Sequence, residues 1–175
     1  IAGIGQNRRQ DINRRLGLQG NETLILMGLG GVEMRPPLES WPLFPGGRWL
    51  TPPAWKVGRA DMASWAALED CSMLDLIRSC DALFTKPGYG AFTEATCAGL
   101  RVLYVARDDW PEEQCLSDWL MEYGNGVKIS PRQLATGDLA DTLQALLAQP
   151  AKPPVAATGA AETVDWLDRL GLGHG

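Results

Sequence analysis

Residues 81–114 read DALFTKPGYGAFTEATCAGLRVLYVARDDWPEEQ, and their order is apolar strand, glycine turn, helix, strand, polar loop. Residues 81–85 are short, apolar and partly β-prone. In Lys86-Pro87-Gly88-Tyr89-Gly90 the chain has to turn sharply, because Pro87 cannot donate a ladder hydrogen bond and glycine tolerates positive φ. Residues 92–98 suit a helix, and Gly99 stops it. Residues 101–106 (RVLYVA) form a second strand of the fully buried type. In such a unit the N–H groups of a helix start face outward from the strand ends. That is an anion site suited to a phosphate or pyrophosphate.

The rest of the chain extends this pattern. Residues 22–28 (ETLILMG) are a first strand, followed at once by Gly30 and Gly31. A lone GxGG is a weak phosphate signal, equally a tight strand-to-helix turn. Residues 33–55 contain six prolines with Trp41, Trp49 and Trp55. This density excludes a long helix and leaves one helical turn near 38–41 and a short strand at 48–51. The tryptophans read as core plugs. A short strand is expected near 64–67. Ser72-x-x-Asp75 is a variant capping box for a helix through Ser79. Residues 111–123 read as a helix with Leu116, Trp119 and Leu120 on one face, 127–130 as a last strand and 139–148 as an amphipathic helix. Residues 160–170 form a final helix with Val164, Leu167 and Leu170 to bury. Residues 6–18 read as a basic, solvated linker helix ending at Gly17 or Gly20. Alternating strands and helices imply a doubly wound parallel α/β sheet of about six strands with helices on both faces. The expected division is a linker or a helix of a preceding domain at 1–20, a Rossmann-like domain at 21–150, and a linker with a C-terminal helix at 151–175.

Composition narrows the function classes. The 175 residues carry a net charge of −5, and the pI is about 4.9. This argues against nucleic acid and anionic membrane as main partners. Cys71, Cys80, Cys97 and Cys115 form no CxxC pair, and three fall in expected helices. The one histidine, His174, is next to last. Buried free thiols are expected, with no disulfide and no metal site. No apolar run reaches membrane-spanning length and no signal peptide is visible. The first residue is Ile1, as expected of a chain cut from a longer one.

Several chemistry-bearing residues converge on the central unit. Gly88 and Gly90 let a ligand approach the backbone, and Thr93 offers a hydroxyl. Glu94, expected in the first helical turn, has a carboxylate able to accept two ribose hydroxyls, or else complements the helix dipole. Thr93 serves equally as a capping group. Glu113 and Gln114 open the next helix toward the same crevice. A carboxylate beside a carboxamide suits a polyhydroxylated ligand, and a solvated acidic helix start gives the same pattern.

The segment KPGYGAFTEATCAGLRVLYVARDDWPEEQ (86–114) resembles the donor-site motif in the C-terminal domain of two-domain GT-B glycosyltransferases. It is similar to the bacterial N-acetylglucosaminyltransferase of peptidoglycan lipid II synthesis and to glycosyltransferase family twenty-eight generally. The matching positions are Asp81, the strand 82–85, the turn 88–90, Thr93-Glu94, Ala98-Gly99 and Glu113-Gln114. The family's strand-opening proline is replaced, with Leu100-Arg101-Val102 in its place. The resemblance implies a uridine diphosphate sugar as donor, with the ribose on Glu94. It sets the diphosphate at Gly88, Tyr89, Gly90 and the helix start, beside Thr93. It gives the donor sugar to Glu113 and Gln114, and sets Gly30 and Gly31 near acceptor and phosphates. It implies transfer without cofactor or metal, and Asp108-Asp109 does not form the DxD metal motif. The catalytic base is expected outside this chain, in a missing N-terminal acceptor domain or a partner chain. The expected location is the cytoplasm, peripheral to the membrane through that missing part. Two alternatives stand beside it: a non-catalytic nucleotide-sugar-binding or regulatory domain, and half of a GT-B-like sugar-nucleotide epimerase.

Overall fold

Leu24, Ile25, Leu26 and Met27 are all fully buried. Successive side chains of a strand point to opposite faces, so a sheet that buries four in a row is covered on both sides. This is β1 (Thr23–Gly28). The computed structural model describes residues 5–30, 34–107 and 110–171. Beside β1 lie β2 (Gly47–Thr51), β3 (Met62–Ser64), β4 (Ala82–Thr85), β5 (Arg101–Val105) and β6 (Gly126–Ile129). They form one six-stranded sheet in the order β3-β2-β1-β4-β5-β6, and every pairing is parallel. This is the Rossmann-like doubly wound arrangement that the sequence predicts.

Each face has its own core. Leu24, Leu26, Leu83, Val102 and Tyr104 point to one side, against α1 (Arg9–Leu16), α2 (Met73–Ser79), α3 (Tyr89–Ala98) and α4 (Glu113–Tyr123). Ile25, Met27, Phe84, Leu103 and Val105 point to the other, against α6 (Ala140–Ala148) and the proline-rich segment around Trp41. There Trp41, Trp49 and Phe84 meet edge to face, with ring centroids 5.6–6.2 Å apart. Trp41 and Trp49 are the core plugs expected of them.

The cap of α2 is the expected box: Ser72 Oγ accepts from the Asp75 N–H, and Asp75 accepts from the Ser72 N–H. Gly99 ends α3 in the left-handed conformation, at φ 70°. Other expectations are corrected. The strand expected at 64–67 lies earlier, at β3, because Ser64 caps a 3-10 turn over Trp65–Leu68. A short helix, α5 (Pro131–Thr136), follows β6 with a second capping box between Ser130 and Gln133. Only Cys97 and Cys115 lie in helices; Cys71 and Cys80 flank α2. All four are free thiols as expected, but they are not the buried thiols expected: Cys115 is exposed and Cys71, Cys80 and Cys97 are half-buried; desolvation still pushes the Cys80 thiol well up.

The two terminal helices exchange the roles expected of them. The first is not a solvated linker: Ile12 is fully buried in the first core. Its arginines are paired, Arg9 with Asp81 at 2.9 Å and Arg8 with Asp70 at 2.7 Å. Asp81 also accepts from the Leu24 N–H at 2.7 Å, so one carboxylate ties α1, β1 and the start of β4 together. The last helix, α7 (Gly159–Arg169), buries no residue, and Val164 and Leu170 are more than half exposed. Among the described residues no helix is long and apolar enough to cross a membrane.

Candidate functional site

The sheet reverses its winding between β1 and β4. From β1 the chain works outward through β2 to β3, and from β4 it works the other way through β5 to β6. In such sheets the crevice outside the strand ends at the reversal is where ligands bind. Gly28 and Thr85, the last residues of β1 and β4, are partners in register. The Thr85 hydroxyl donates to the Gly28 carbonyl at 2.6 Å, locking the two ends at one level. Two glycine turns therefore leave side by side, one through Gly30 and one through Gly88-Tyr89-Gly90.

The second turn has the geometry of an anion cradle. Gly88 is extended at φ −175° and caps α3 with its carbonyl, which accepts from the Phe92 N–H at 3.0 Å. No side chain caps this helix start. The N–H groups of Tyr89, Gly90 and Ala91 come before the first intrahelical bond and point out of the helix end, where the dipole favours negative charge. A Cβ built at Gly90 would meet nothing within 4 Å, and one at Gly88 only the Lys86 carbonyl at 4.0 Å. The protein's own packing therefore leaves that space open to a ligand. Gly30, at φ 20°, is equally open. Gly31, Asp108, Asp109 and His174 lie outside the described residues.

The helix starts at Tyr89, three residues earlier than the sequence suggests, because Gly88 takes the capping position. Glu94 is therefore the sixth residue of α3 and not a first-turn group, so dipole complementation at the helix start does not explain it. With Thr93 and Cys97 it lines a cleft of about 1000 Å³ whose other walls are Ile77 and Arg78 of α2, Trp119 of α4, and the segment 155–162. The Thr93 hydroxyl donates back to the Tyr89 carbonyl at 2.6 Å, a bond common for threonine inside helices. Gly30, Gly88, Gly90 and Gln114 do not line that cleft. The predicted residues on and before α3 thus fall into two groups: the glycine turns at the strand ends, and Thr93 with Glu94 along the outer side of α3.

The loop after β5 holds the remaining group. Glu113 is buried, 8 % exposed. Its carboxylate accepts from the Arg107 N–H and lies 3.0 Å from Lys128 Nζ. Gln114 is exposed, and its amide donates to Asp118 at 2.8 Å. Sequence reasoning missed a cluster joining this loop to α3. The Tyr89 hydroxyl donates to Glu112 at 2.8 Å, the Tyr89 and Trp110 rings meet edge to face, and Arg107 lies over Trp110 at 5.4 Å. The hydrogen bond to Glu112 holds the Tyr89 phenol above its ordinary range. The one available signal was three aromatic or cationic residues in the two loops that follow β4 and β5. Among the described residues no three His, Cys, Asp or Glu side chains gather where they could hold a metal ion.

Comparison of the sequence with protein-family models and with curated proteins gives no match. Solved structures do match by fold. The glycotransferase of kitacinnamycin superposes with a TM-score of 0.59 at 16 % identity, over 99 % of this chain and 43 % of that one. The calicheamicin glycosyltransferase CalG4 gives 0.59 at 17 % identity, over 86 % and 44 %. WaaG, a glycosyltransferase involved in lipopolysaccharide biosynthesis, gives 0.50 at 18 % identity, over 85 % and 43 %. This chain thus spans less than half the length of each. The likeness establishes a Rossmann-like α/β fold of the kind found in GT-B glycosyltransferases, and it does not single out family twenty-eight.

Proposed function

We propose that this chain is the donor-binding domain of a glycosyltransferase, taking a nucleoside diphosphate sugar, most simply a uridine one. The observation that carries the reading is the pair of glycine turns at the reversal of the sheet, opening onto an uncapped helix start with empty space over Gly88 and Gly90. A diphosphate there is held by backbone N–H groups and the helix dipole, which stand in for a cation at the leaving group. The ribose reaches toward Glu94, and the hexose toward the start of α4 at Gln114. That the fold neighbours are glycosyltransferases supports this. So does the resemblance of residues 86–114 to the donor motif. The acceptor site and catalytic base belong to the part of the enzyme that this chain, at 43 % of the first neighbour's length, does not span. The finer assignment, to the peptidoglycan N-acetylglucosaminyltransferase and family twenty-eight, rests on that motif alone.

Calorimetry with uridine diphosphate in the presence of chelator tests it. The expected dissociation constant is micromolar to millimolar, about −8 to −4 kcal/mol, since one wall of a two-domain cleft is present. Glu94→Gln, which swaps an acceptor oxygen for a donor, lowers affinity roughly ten- to a hundredfold, the value of a charged hydrogen bond. The variant also loses discrimination against the 2′-deoxy nucleotide. No binding at millimolar ligand, or strict dependence on magnesium, refutes the reading. Equal binding of ribose and 2′-deoxy forms by the wild type removes Glu94 from it.

A further inference from the structure

Arg107, Trp110 and Glu113 are joined in a closed ring of hydrogen bonds. The Trp110 N–H donates to the Arg107 carbonyl and the Glu113 N–H to the Trp110 carbonyl, each at 3.0 Å. The Glu113 carboxylate then accepts from the Arg107 N–H and completes the ring. The other carboxylate oxygen reaches Lys128 at 3.0 Å, on β6, where Lys128 stands beside Tyr104 of β5. A carboxylate that is 8 % exposed and answered on both oxygens has little left to offer a sugar hydroxyl, and turning it outward would take this acceptor from a half-buried N–H. Neighbouring helix residues point about 100° apart, so fixing Glu113 inward directs Gln114 to solvent, where it is found.

We propose that Glu113 is a positioning residue and not a sugar contact: it braces Arg107 and Trp110 against the start of α4, and recognition of the donor hexose from this helix start falls to Gln114. The second half rests on the donor-site reading above; the brace itself does not. It departs from the motif resemblance, which gives the sugar to both residues.

The test compares full-length E113A, E113Q, K128M and Q114A with the wild type. One arm needs no ligand: backbone amide exchange at Arg107, followed by NMR. E113A speeds exchange there by roughly ten- to a hundredfold, the loss of one charged hydrogen bond. E113Q recovers most of the protection, because its carbonyl still accepts. K128M speeds it less than E113A. Exchange in E113A at the wild-type rate, or E113Q no better protected than E113A, overturns the brace. The other arm measures uridine diphosphate and uridine diphosphate glucose by calorimetry. E113Q binds both as the wild type does, while Q114A loses roughly three- to tenfold for the sugar nucleotide only. A loss of sugar affinity in E113Q with normal Arg107 exchange makes Glu113 a direct contact and overturns the proposal. Q114A at wild-type affinity overturns the role of Gln114. If the wild type binds neither nucleotide, the proposed function falls, and the exchange arm alone decides the brace.

Discussion

Gly90→Ala separates what the fold needs from what the ligand needs. Gly90 is the second residue of α3, is helical, and has no neighbour within 4 Å of a built Cβ. Nothing in the packing asks for glycine there. Alanine in a helix is favoured over glycine by about 0.5–1 kcal/mol, chiefly through the entropy of the unfolded chain. At about 2–4 °C per kcal/mol for a domain of this size, the melting temperature rises by ~1–4 °C. A methyl group over the helix start also stands where a phosphate oxygen would approach the Gly90 N–H. Losing that charged hydrogen bond costs about 1.5–3 kcal/mol, a roughly ten- to hundredfold fall in affinity for uridine diphosphate. Thermal melts and calorimetry on one preparation read both numbers. The reasoning requires opposite signs, a more stable protein that binds less well. A higher melting temperature with unchanged affinity puts the diphosphate elsewhere. A lower melting temperature shows a structural demand for glycine that the surroundings of α3 do not reveal.

Two further outcomes concern the way α1 joins the domain. Ile12→Ala removes a fully buried side chain and destabilises by about 2–5 kcal/mol in urea melts; a change under about 0.5 kcal/mol, the size of an ordinary surface substitution, would mean that α1 does not pack as described. Asp70 is held well below the ordinary carboxylate range by its hydrogen bonds to Arg15 and then Arg8. A depressed folded-state pKa gives stability that is present above the unfolded value and is lost as pH falls through the ordinary carboxylate range and below. Asp70 is half exposed, so the effect is modest. The stability gap between wild type and Asp70→Asn therefore narrows between pH 7 and pH 3, and a gap independent of pH would show that the two arginines contribute nothing through charge.

What the sequence made legible was local. The strand, glycine turn and helix of 82–98 and the Ser72 capping box depend on residues within a few positions of each other, and both are present, though the helix starts three residues early. The same signal was present at Ser130-x-x-Gln133 and passed unread, since a six-residue helix offers no apolar period. What escaped depends on distant partners. Nothing in QNRRQDINRRL says that Asp70 and Asp81, some 60–70 positions on, take up Arg8 and Arg9. A basic helix without those partners reads as solvated. Val164, Leu167 and Leu170 carry an apolar period, but a period states only that a face exists, and among the described residues α7 buries none of its side chains, with Leu167 half-buried and Val164 and Leu170 exposed. At the candidate site, residue type pointed to the loops that follow β1, β4 and β5, yet the orientation of each side chain came from elsewhere. Glu113 turns inward because Lys128 and the Arg107 N–H meet it, and Glu94 falls beyond the first turn because Gly88 starts the helix early.

The position of β1 also constrains the order in which the chain can assemble. It is the hub of the sheet, hydrogen-bonded to β2 on one side and β4 on the other. Its contact with the start of β4 spans 57 positions, as in the Leu24–Asp81 bond. Closing a loop of that length costs about 3–4 kcal/mol of chain entropy by the logarithmic rule, before any strand pairing repays it. During synthesis β1 emerges long before β4, so its most apolar run, Leu24 to Met27, waits with one edge open. β2, carrying Trp49 and Leu50, is the nearer partner and can cover the other edge first. The domain is therefore expected to fold slowly for its size, with the β1–β4 pairing late. That late step also sets Gly28 beside Thr85 and so brings the two glycine turns together. The candidate site is complete only when this longest-range pairing of the sheet has formed.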